Sequence, residues 1–178
     1  MTATISRNLT IDADGLDRLS CTAKEDPSTG KKTLKAKTVC EDGFRNMNYV
    51  RDLKPVLVGE PPALLGDDGA PNPSEMALSA LGSCISVGLL ANATHRKVNL
   101  TKIEIELEGD IDISAVWGVG DTPEDKVLGF TEVRCKVSLA GDASDEVLGE
   151  IHDNAIKWSP VVNTFRNPVE LTSELSVD

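Results

Sequence analysis

The alternation of apolar and polar residues is most regular over residues 102–117, which predicts a long half-buried strand. Its apolar members share one parity and its acidic members the other, namely Ile103, Ile105, Leu107, Ile111, Ile113, Ala115 and Trp117 against Glu104, Glu106, Glu108, Asp110 and Asp112. Residues 128–139 predict a partner strand in which Val133, Cys135, Val137 and Leu139 face inward. If the two strands pair, outward-facing Arg134 and Lys136 would offset the repulsion within the acidic row.

Shorter extended segments precede and follow this pair. Residues 32–40 alternate and predict a half-buried strand with Leu34, Ala36, Thr38 and Cys40 on its covered face. A turn at residues 41–43 leads to a second strand over residues 44–51, and residues 53–58 continue extended. Residues 168–177 are predicted as a final strand.

Helical spacing predicts three helices, over residues 14–25, from residue 73 to about residue 96, and over residues 143–158, where Pro160 ends the last one. Asn72 is a good N-cap for the long helix, Pro73 fits its first position, and Glu75 completes a capping box. Apolar residues occur all round this helix, so we expect it to be central and covered on most sides.

The order of the elements predicts an α+β protein whose mostly antiparallel sheet packs on the long helix. We expect residues 1–30 to form an N-terminal extension with a short helix, and residues 31–178 to form the main domain. The uncharged run from Met76 to Thr94 is too polar for a membrane span, so we interpret it as a core helix.

Charge and composition narrow the classes of function. The chain has 178 residues and a net charge of −11, which argues against nucleic-acid partners and anionic membranes, because both need clustered Lys and Arg. Residues 1–7 lead into polar sequence without the apolar core of a signal peptide, so we expect a cytoplasmic protein.

The sequence offers few motifs that carry chemistry. The four cysteines, Cys21, Cys40, Cys84 and Cys135, form no CxxC pair, and there are two histidines, so we expect no metal site. No GxSxG, GxGxxG or P-loop pattern occurs, and no cofactor is expected. We interpret Cys135 as a packing residue on the inward face of its strand. His95 and His152 are also expected to be structural.

Cys84 is the main candidate for chemistry, because it lies inside the long helix on a stripe of small residues, Ala77, Ala80, Gly88 and Ala91. That stripe fits either tight helix packing or space for a ligand beside the thiol. A nucleophilic thiol needs a nearby cation. The helix N-terminus is over three turns away, so the cation must be an arginine from elsewhere, with Arg45, Arg51 and Arg166 as candidates.

Several motifs together resemble the OsmC/Ohr family. They are Gly59-Glu60-Pro61-Pro62, Asn72-Pro73-Ser74-Glu75, Ala80-Leu81-Gly82-Ser83-Cys84, residues 103–112, and Ser159-Pro160-Val161-Val162-Asn163-Thr164. The resemblance spans about residues 32–175. It implies an OsmC-like fold, an intertwined homodimer with reactive sites at the subunit interface, and thiol-dependent reduction of organic hydroperoxides without a metal or other cofactor.

The resemblance also implies roles for individual residues. Cys84 matches the cysteine that attacks the peroxide, and Arg51 is the best match to the activating arginine. The family's second, resolving cysteine falls at Ser159, which cannot form a disulfide. The family's glutamate falls at Ser74 or Glu75, and the usual register places it on Ser74.

Two interpretations of the function therefore stay open. In the first, Cys84 is a single peroxidatic cysteine in oxidative stress defence, and an external thiol, or Cys21 or Cys40, resolves its sulfenic acid. In the second, the fold is an OsmC-like stress or small-molecule-binding protein without peroxidase turnover.

Overall fold

The computed structural model describes residues 9–177. The helices are α1 (Ala13–Glu25), α2 (Pro73–His95), α3 (Asp145–Trp158) and α4 (Pro160–Arg166), and the strands are β1 (Lys37–Asp42), β2 (Arg45–Tyr49), β3 (Val56–Val58), β4 (Leu100–Ile111) and β5 (Phe130–Gly141). The predicted α+β class with antiparallel sheets is confirmed.

The described chain divides into two compact units. The first unit comprises residues 9–11, 83–104 and 138–177, and the second comprises residues 12–82 and 105–137. The division into residues 1–30 and 31–178 stays a prediction. Residues 1–8, the segment for which no signal peptide is expected, lie outside the described residues.

In the first unit, α2 and α3 pack side by side and antiparallel. A Cβ added to Gly88 would lie 3.3 Å from the Cβ of Ala155, so the two backbones approach closely there. Later residues of α2 meet earlier residues of α3, because Asn154 donates a hydrogen bond to Asn92 and Arg96 pairs with Glu150. The buried residues of the unit form one apolar core, Ile85, Leu89, Ala93, Leu100, Ile151, Ala155 and Val162.

In the second unit, β1, β2 and β3 form an antiparallel meander in which Thr38 lies opposite Asn48, and Asn48 opposite Val56. The β4–β5 ladder shows the predicted charge pairing. Arg134 donates to both carboxylate oxygens of Asp110, at 2.6 and 2.9 Å, and Lys136 Nζ lies 2.6 Å from Glu106. The Arg134 hydrogen bonds lower the pKa of the Asp110 carboxyl, which keeps the pair charged.

The start of α2 is also as predicted. The Asn72 side chain accepts a hydrogen bond from the Glu75 N–H at 2.8 Å, and the Glu75 carboxylate accepts one from the Asn72 N–H at 2.8 Å. This reciprocal capping box fixes the first turn.

The long predicted strand over residues 102–117 ends early, at Ile111. The Asp112 side chain accepts from the Ser114 N–H at 2.8 Å, and Lys126 Nζ bonds Ser114 and Asp121, so the chain turns instead of continuing. Trp117 has a φ of 51°, which a strand does not allow, and its side chain is 61% exposed.

Three smaller expectations were wrong, and a fourth, on Pro160, was right but incomplete. Every residue of β1 is exposed in the described chain, so the alternation of residues 32–40 does not mark a covered face. Residues 168–177 form no regular structure. Pro160 ends α3 but also begins α4, since it occupies the first helical position. The long helix is buried along one stripe only, Leu81, Ile85, Leu89 and Ala93, and Val87 is 70% exposed.

Within the described residues, α2 is the one helix long and apolar enough to cross a membrane. One such helix is weak evidence for a membrane span, because core helices of soluble proteins pass the same test. Since 22% of the apolar window of α2 is buried within the described chain, the interpretation as a core helix stays a prediction.

Replacing Gly88 by leucine should destabilise the protein, because the new side chain would meet Ala155 in the α2–α3 contact. We expect a loss of about 1–3 kcal/mol in the free energy of unfolding, measured by urea denaturation. Gly149→Leu on α3 is the matched control. A Cβ there meets no atom within 4 Å, so the better helix former should leave stability unchanged or raise it. Equal losses in both variants would contradict the close packing.

Candidate functional site

Cys84 lies half-buried on α2, one turn before Gly88. Its sulfur accepts a hydrogen bond from the hydroxyl of Ser159, with Oγ and Sγ 3.1 Å apart. The structure thus brings together the two positions that sequence analysis matched to the family's pair of cysteines.

Ser159 is held by the break between α3 and α4. It is 3% exposed, and its Oγ accepts a hydrogen bond from the Val162 N–H at 3.2 Å as the N-cap of α4. Because the Val162 N–H occupies an acceptor site on the oxygen, the hydroxyl proton can point at the sulfur. The cap and the contact with Cys84 therefore support one orientation of this side chain.

The stripe of small residues around Cys84 serves packing at one position. Gly88 lies against Ala155 of α3, so a side chain at position 88 would crowd this contact. Ala80, on the other side of Cys84, is exposed. The stripe is thus packed at Gly88 in the first unit, whereas Ala80, which belongs to the second unit, is exposed.

The predicted activating arginine lies in the second unit. Arg51 occupies an exposed turn after β2 with a φ of 51°, and its guanidinium forms no ion pair with a described residue. Arg45 instead pairs with Asp67 at 2.6 Å, and Arg166 ends α4. Arg51 remains the candidate cation for Cys84, as a prediction.

The predicted acidic residue Glu75 has a structural task. Its carboxylate caps α2 by accepting from the Asn72 N–H. Its second role, as the acid that orients the arginine, stays a prediction. Ser74 lines a cavity of about 480 Å³ in the second unit, together with Glu60.

The other three cysteines are all exposed. Cys135 was expected to be packed inward, and this is wrong for the described chain, although partial burial raises the pKa of its thiol. The Cys40 thiol donates to the carbonyl of Gly43 at 3.3 Å. His152 contacts Asp153 on the surface of α3. No group of three or more His, Cys, Asp or Glu side chains among residues 9–177 could hold a metal ion.

Sequence analysis missed Glu60 as a functional candidate. Its Oε2 atom is buried and has no hydrogen-bond partner among the described residues. Burial, and then the nearby Glu75 carboxylate, raise the pKa of the Glu60 carboxyl. Its one sequence signal was an acidic residue placed between the apolar strand β3 and a proline pair.

Comparison with known proteins agrees with the fold. The family model described as OsmC-like protein matches residues 66–174. No curated protein sequence matches significantly.

Solved structures with the same fold include an OsmC-like protein from Mycoplasma pneumoniae (TM-score 0.64, 16% identity, 76% of this chain and 89% of that chain covered). A second is an organic hydroperoxide resistance protein from Elizabethkingia anophelis (TM-score 0.59, 17% identity, 79% of this chain and 92% of that chain covered). A third is the organic hydroperoxide resistance protein OsmC from Legionella pneumophila (TM-score 0.56, 22% identity, 76% of this chain and 90% of that chain covered). At these identities the likeness establishes the fold alone.

The contact between positions 84 and 159 predicts that Ser159→Cys will form a disulfide with Cys84. The Ser159 oxygen is 3.1 Å from the sulfur, so a thiol there should need little movement to bond. Oxidation with a mild disulfide reagent, followed by non-reducing peptide mapping, should recover the cross-linked peptide pair. Thr164→Cys on the exposed side of α4 is the control and should form no bond to Cys84. Equal cross-linking from both positions, or none from position 159, would contradict the geometry.

Proposed function

The chain belongs to the OsmC-like family, and on that premise we propose that it reduces organic hydroperoxides through the single peroxidatic cysteine Cys84. The observation that carries the proposal is the hydrogen bond from Ser159 to the Cys84 sulfur. It supports the match of both positions to the family's reactive pair, and it gives the sulfur a partner for negative charge.

The proposed reaction begins with the Cys84 thiolate attacking the terminal oxygen of the hydroperoxide. A sulfur–oxygen bond forms, the oxygen–oxygen bond breaks, and the leaving alkoxide takes up a proton to become an alcohol. The sulfur loses two electrons and becomes a sulfenic acid. Arg51 is proposed to stabilise both the thiolate and the developing alkoxide.

An external thiol is proposed to complete the cycle, because Ser159 has no second sulfur. A first thiol attacks the sulfenic acid, releases water and forms a mixed disulfide with Cys84. A second thiol attacks the mixed disulfide, so that the external disulfide leaves and the Cys84 thiol is restored. Cys21 and Cys40, both exposed, are the alternative resolving thiols within the chain.

We propose that the active form is a homodimer in the cytoplasm. Support comes from the apolar surface beside the site, where Val87 on α2 is 70% exposed and Trp158, next to Ser159, is 69% exposed. Both residues are close in sequence to the paired positions 84 and 159, and we propose that the partner subunit covers them. The hydroperoxide resistance proteins with the same fold support the choice of substrate class.

A second candidate function is an OsmC-like stress or small-molecule-binding protein without turnover. Ser159 favours this second function, because a hydroxyl at the resolving position cannot form an intramolecular disulfide with Cys84. The two functions differ in whether Cys84 is oxidised by stoichiometric hydroperoxide.

In a variant that keeps Cys84 as its single cysteine (Cys21→Ser, Cys40→Ser, Cys135→Ser), stoichiometric cumene hydroperoxide should oxidise the thiol to a sulfenic acid. Labelling with a dimedone-type probe and peptide mass spectrometry should place the adduct on Cys84. Adding Cys84→Ser should abolish it. Unlabelled Cys84, in protein that folds as the wild type does, would rule out the peroxidase. If this variant is labelled normally but no longer turns over with an external thiol, one of the three replaced cysteines is the resolving thiol. Restoring Cys21 or Cys40 singly would then identify it.

Arg51→Met should slow the oxidation of Cys84 by about tenfold or more, since removing one charge partner of a developing oxyanion costs at least that much. The rate is measured by stopped-flow with excess hydroperoxide. Lys54→Met, which removes an exposed cation three positions away, should leave the rate unchanged. If the two variants react at the same rate, Arg51 is not the activating cation.

A further inference from the structure

A cavity in the second unit has the size and lining of a small-molecule site. Its volume of about 480 Å³ lies within the usual range for ligand pockets. Its wall is mostly apolar, with Leu64, Ile111, Ile113, Trp117 and Leu128 among the lining residues, and Glu60 supplies a carboxylate.

One oxygen of the Glu60 carboxylate lacks a hydrogen-bond donor. Its Oε2 atom is buried without a hydrogen-bond partner among the described residues. A buried polar atom in that state is destabilising, and such atoms mark places where a water, ion or ligand belongs. The terminal torsion of a glutamate is broad, so a small rotation can present this oxygen to the cavity.

The charges around the cavity favour a cation. The lining carries two carboxylates, Glu60 and Asp112, and no basic side chain. The negative charge of Asp112 is already balanced, because its carboxylate bonds Ser114 and Lys126. These interactions lower the pKa of Asp112 to about 2. Glu60 also lies near the Glu75 carboxylate, which raises the pKa of Glu60 after the larger effect of burial. A positive group beside Glu60 would relieve both effects.

The wall opposite is held in a strained conformation. Val116 and Trp117 have φ values of 43° and 51°, which are outliers for a β-branched and a bulky residue. Lys126 anchors this segment by its bonds to Ser114 and Asp121, and the Trp117 ring lies 5.2 Å from that of Phe44. Strain of this kind persists where it positions a side chain for a ligand. Here it leaves an indole on the cavity wall, where its face can attract a cation.

We propose that this cavity binds a small amphiphilic amine, whose ammonium group donates to Glu60 and whose apolar body lies against Trp117 and Leu128. Neither Cys84 nor Arg51 lines the cavity, so amine binding can be measured separately from the proposed peroxidase activity, although the lining includes Ser74, one match to the family's glutamate.

Isothermal titration calorimetry with three probes of one length tests the proposal. Hexylammonium should bind, hexanol should bind about tenfold or more weakly, and hexanoate should not bind, because a charge-assisted hydrogen bond discriminates by at least that factor. Inorganic ammonium should bind weakly, since it lacks the apolar body. Equal binding of hexylammonium and hexanol would overturn the role of the charge, and preference for hexanoate would overturn the proposal.

Variants separate the site from the general negative charge of the protein. Glu60→Gln should weaken hexylammonium binding by about tenfold or more. Glu124→Gln, an exposed residue outside the cavity lining, removes the same charge and should bind as the wild type does. Cys84→Ser should also bind normally, which distinguishes failure here from failure of the peroxidase.

A measurement on the wild-type protein does not depend on the folding of any variant. Hexylammonium should shift the backbone amide resonances of Glu60, Ala63 and Leu64, and those of residues 111–118. Shifts confined to other residues would overturn the proposal. The proposal would also be overturned if no probe bound and the cavity amides became protected from hydrogen exchange only at protein concentrations where the chain self-associates. That result would assign the surface to a second copy of the chain.

Discussion

The antiparallel contact between α2 and α3 is the constraint on which the candidate thiol site depends. Gly88 and Ala155 are small enough for the two backbones to approach closely. Cys84 lies one turn from Gly88, and Ser159 lies one turn from Ala155 in the opposite chain direction. Because the helices run antiparallel, the close contact at one turn brings the sulfur and the hydroxyl together at the next. A larger residue at position 88 or 155 would separate them.

The same packing explains why serine at position 159 keeps a contact but changes the chemistry. The hydroxyl is buried, caps α4 and reaches the sulfur at 3.1 Å. A hydroxyl can donate a proton to a hydrogen bond, but it cannot take part in thiol–disulfide exchange. The site therefore keeps a hydrogen-bond donor to the sulfur but has no disulfide partner at position 159, which is why an external thiol, or Cys21 or Cys40, enters the proposed cycle.

Local rules predicted much of the fold because the interactions concerned are short-range in sequence or follow strand parity. The capping box of Asn72 and Glu75 involves neighbouring residues, and the pairing of Lys136 with Glu106 follows from side chains on one face of two paired strands. The alternation through Ile113 and Trp117 predicted a strand that the structure does not form. The pattern of apolar and polar residues carries no information about the turn that Asp112, Ser114 and Lys126 impose. In β1, the alternation showed which residues share a face of the strand. It did not show whether other residues of the chain cover that face.

The thiol site and the cavity differ in whether their buried polar groups have hydrogen-bond partners. Ser159 has both an N–H donor and a sulfur acceptor, so the polar groups of the thiol site are satisfied within the first unit. Glu60 has a buried oxygen without a donor in the second unit. Under the two proposals, the thiol site would use a cation to hold the thiolate, and the cavity would take a ligand that brings its own hydrogen-bond donor. Since a protein-borne guanidinium is permanently charged and a bound amine is exchangeable, the first requirement suits a fixed residue such as Arg51 and the second suits a diffusible molecule.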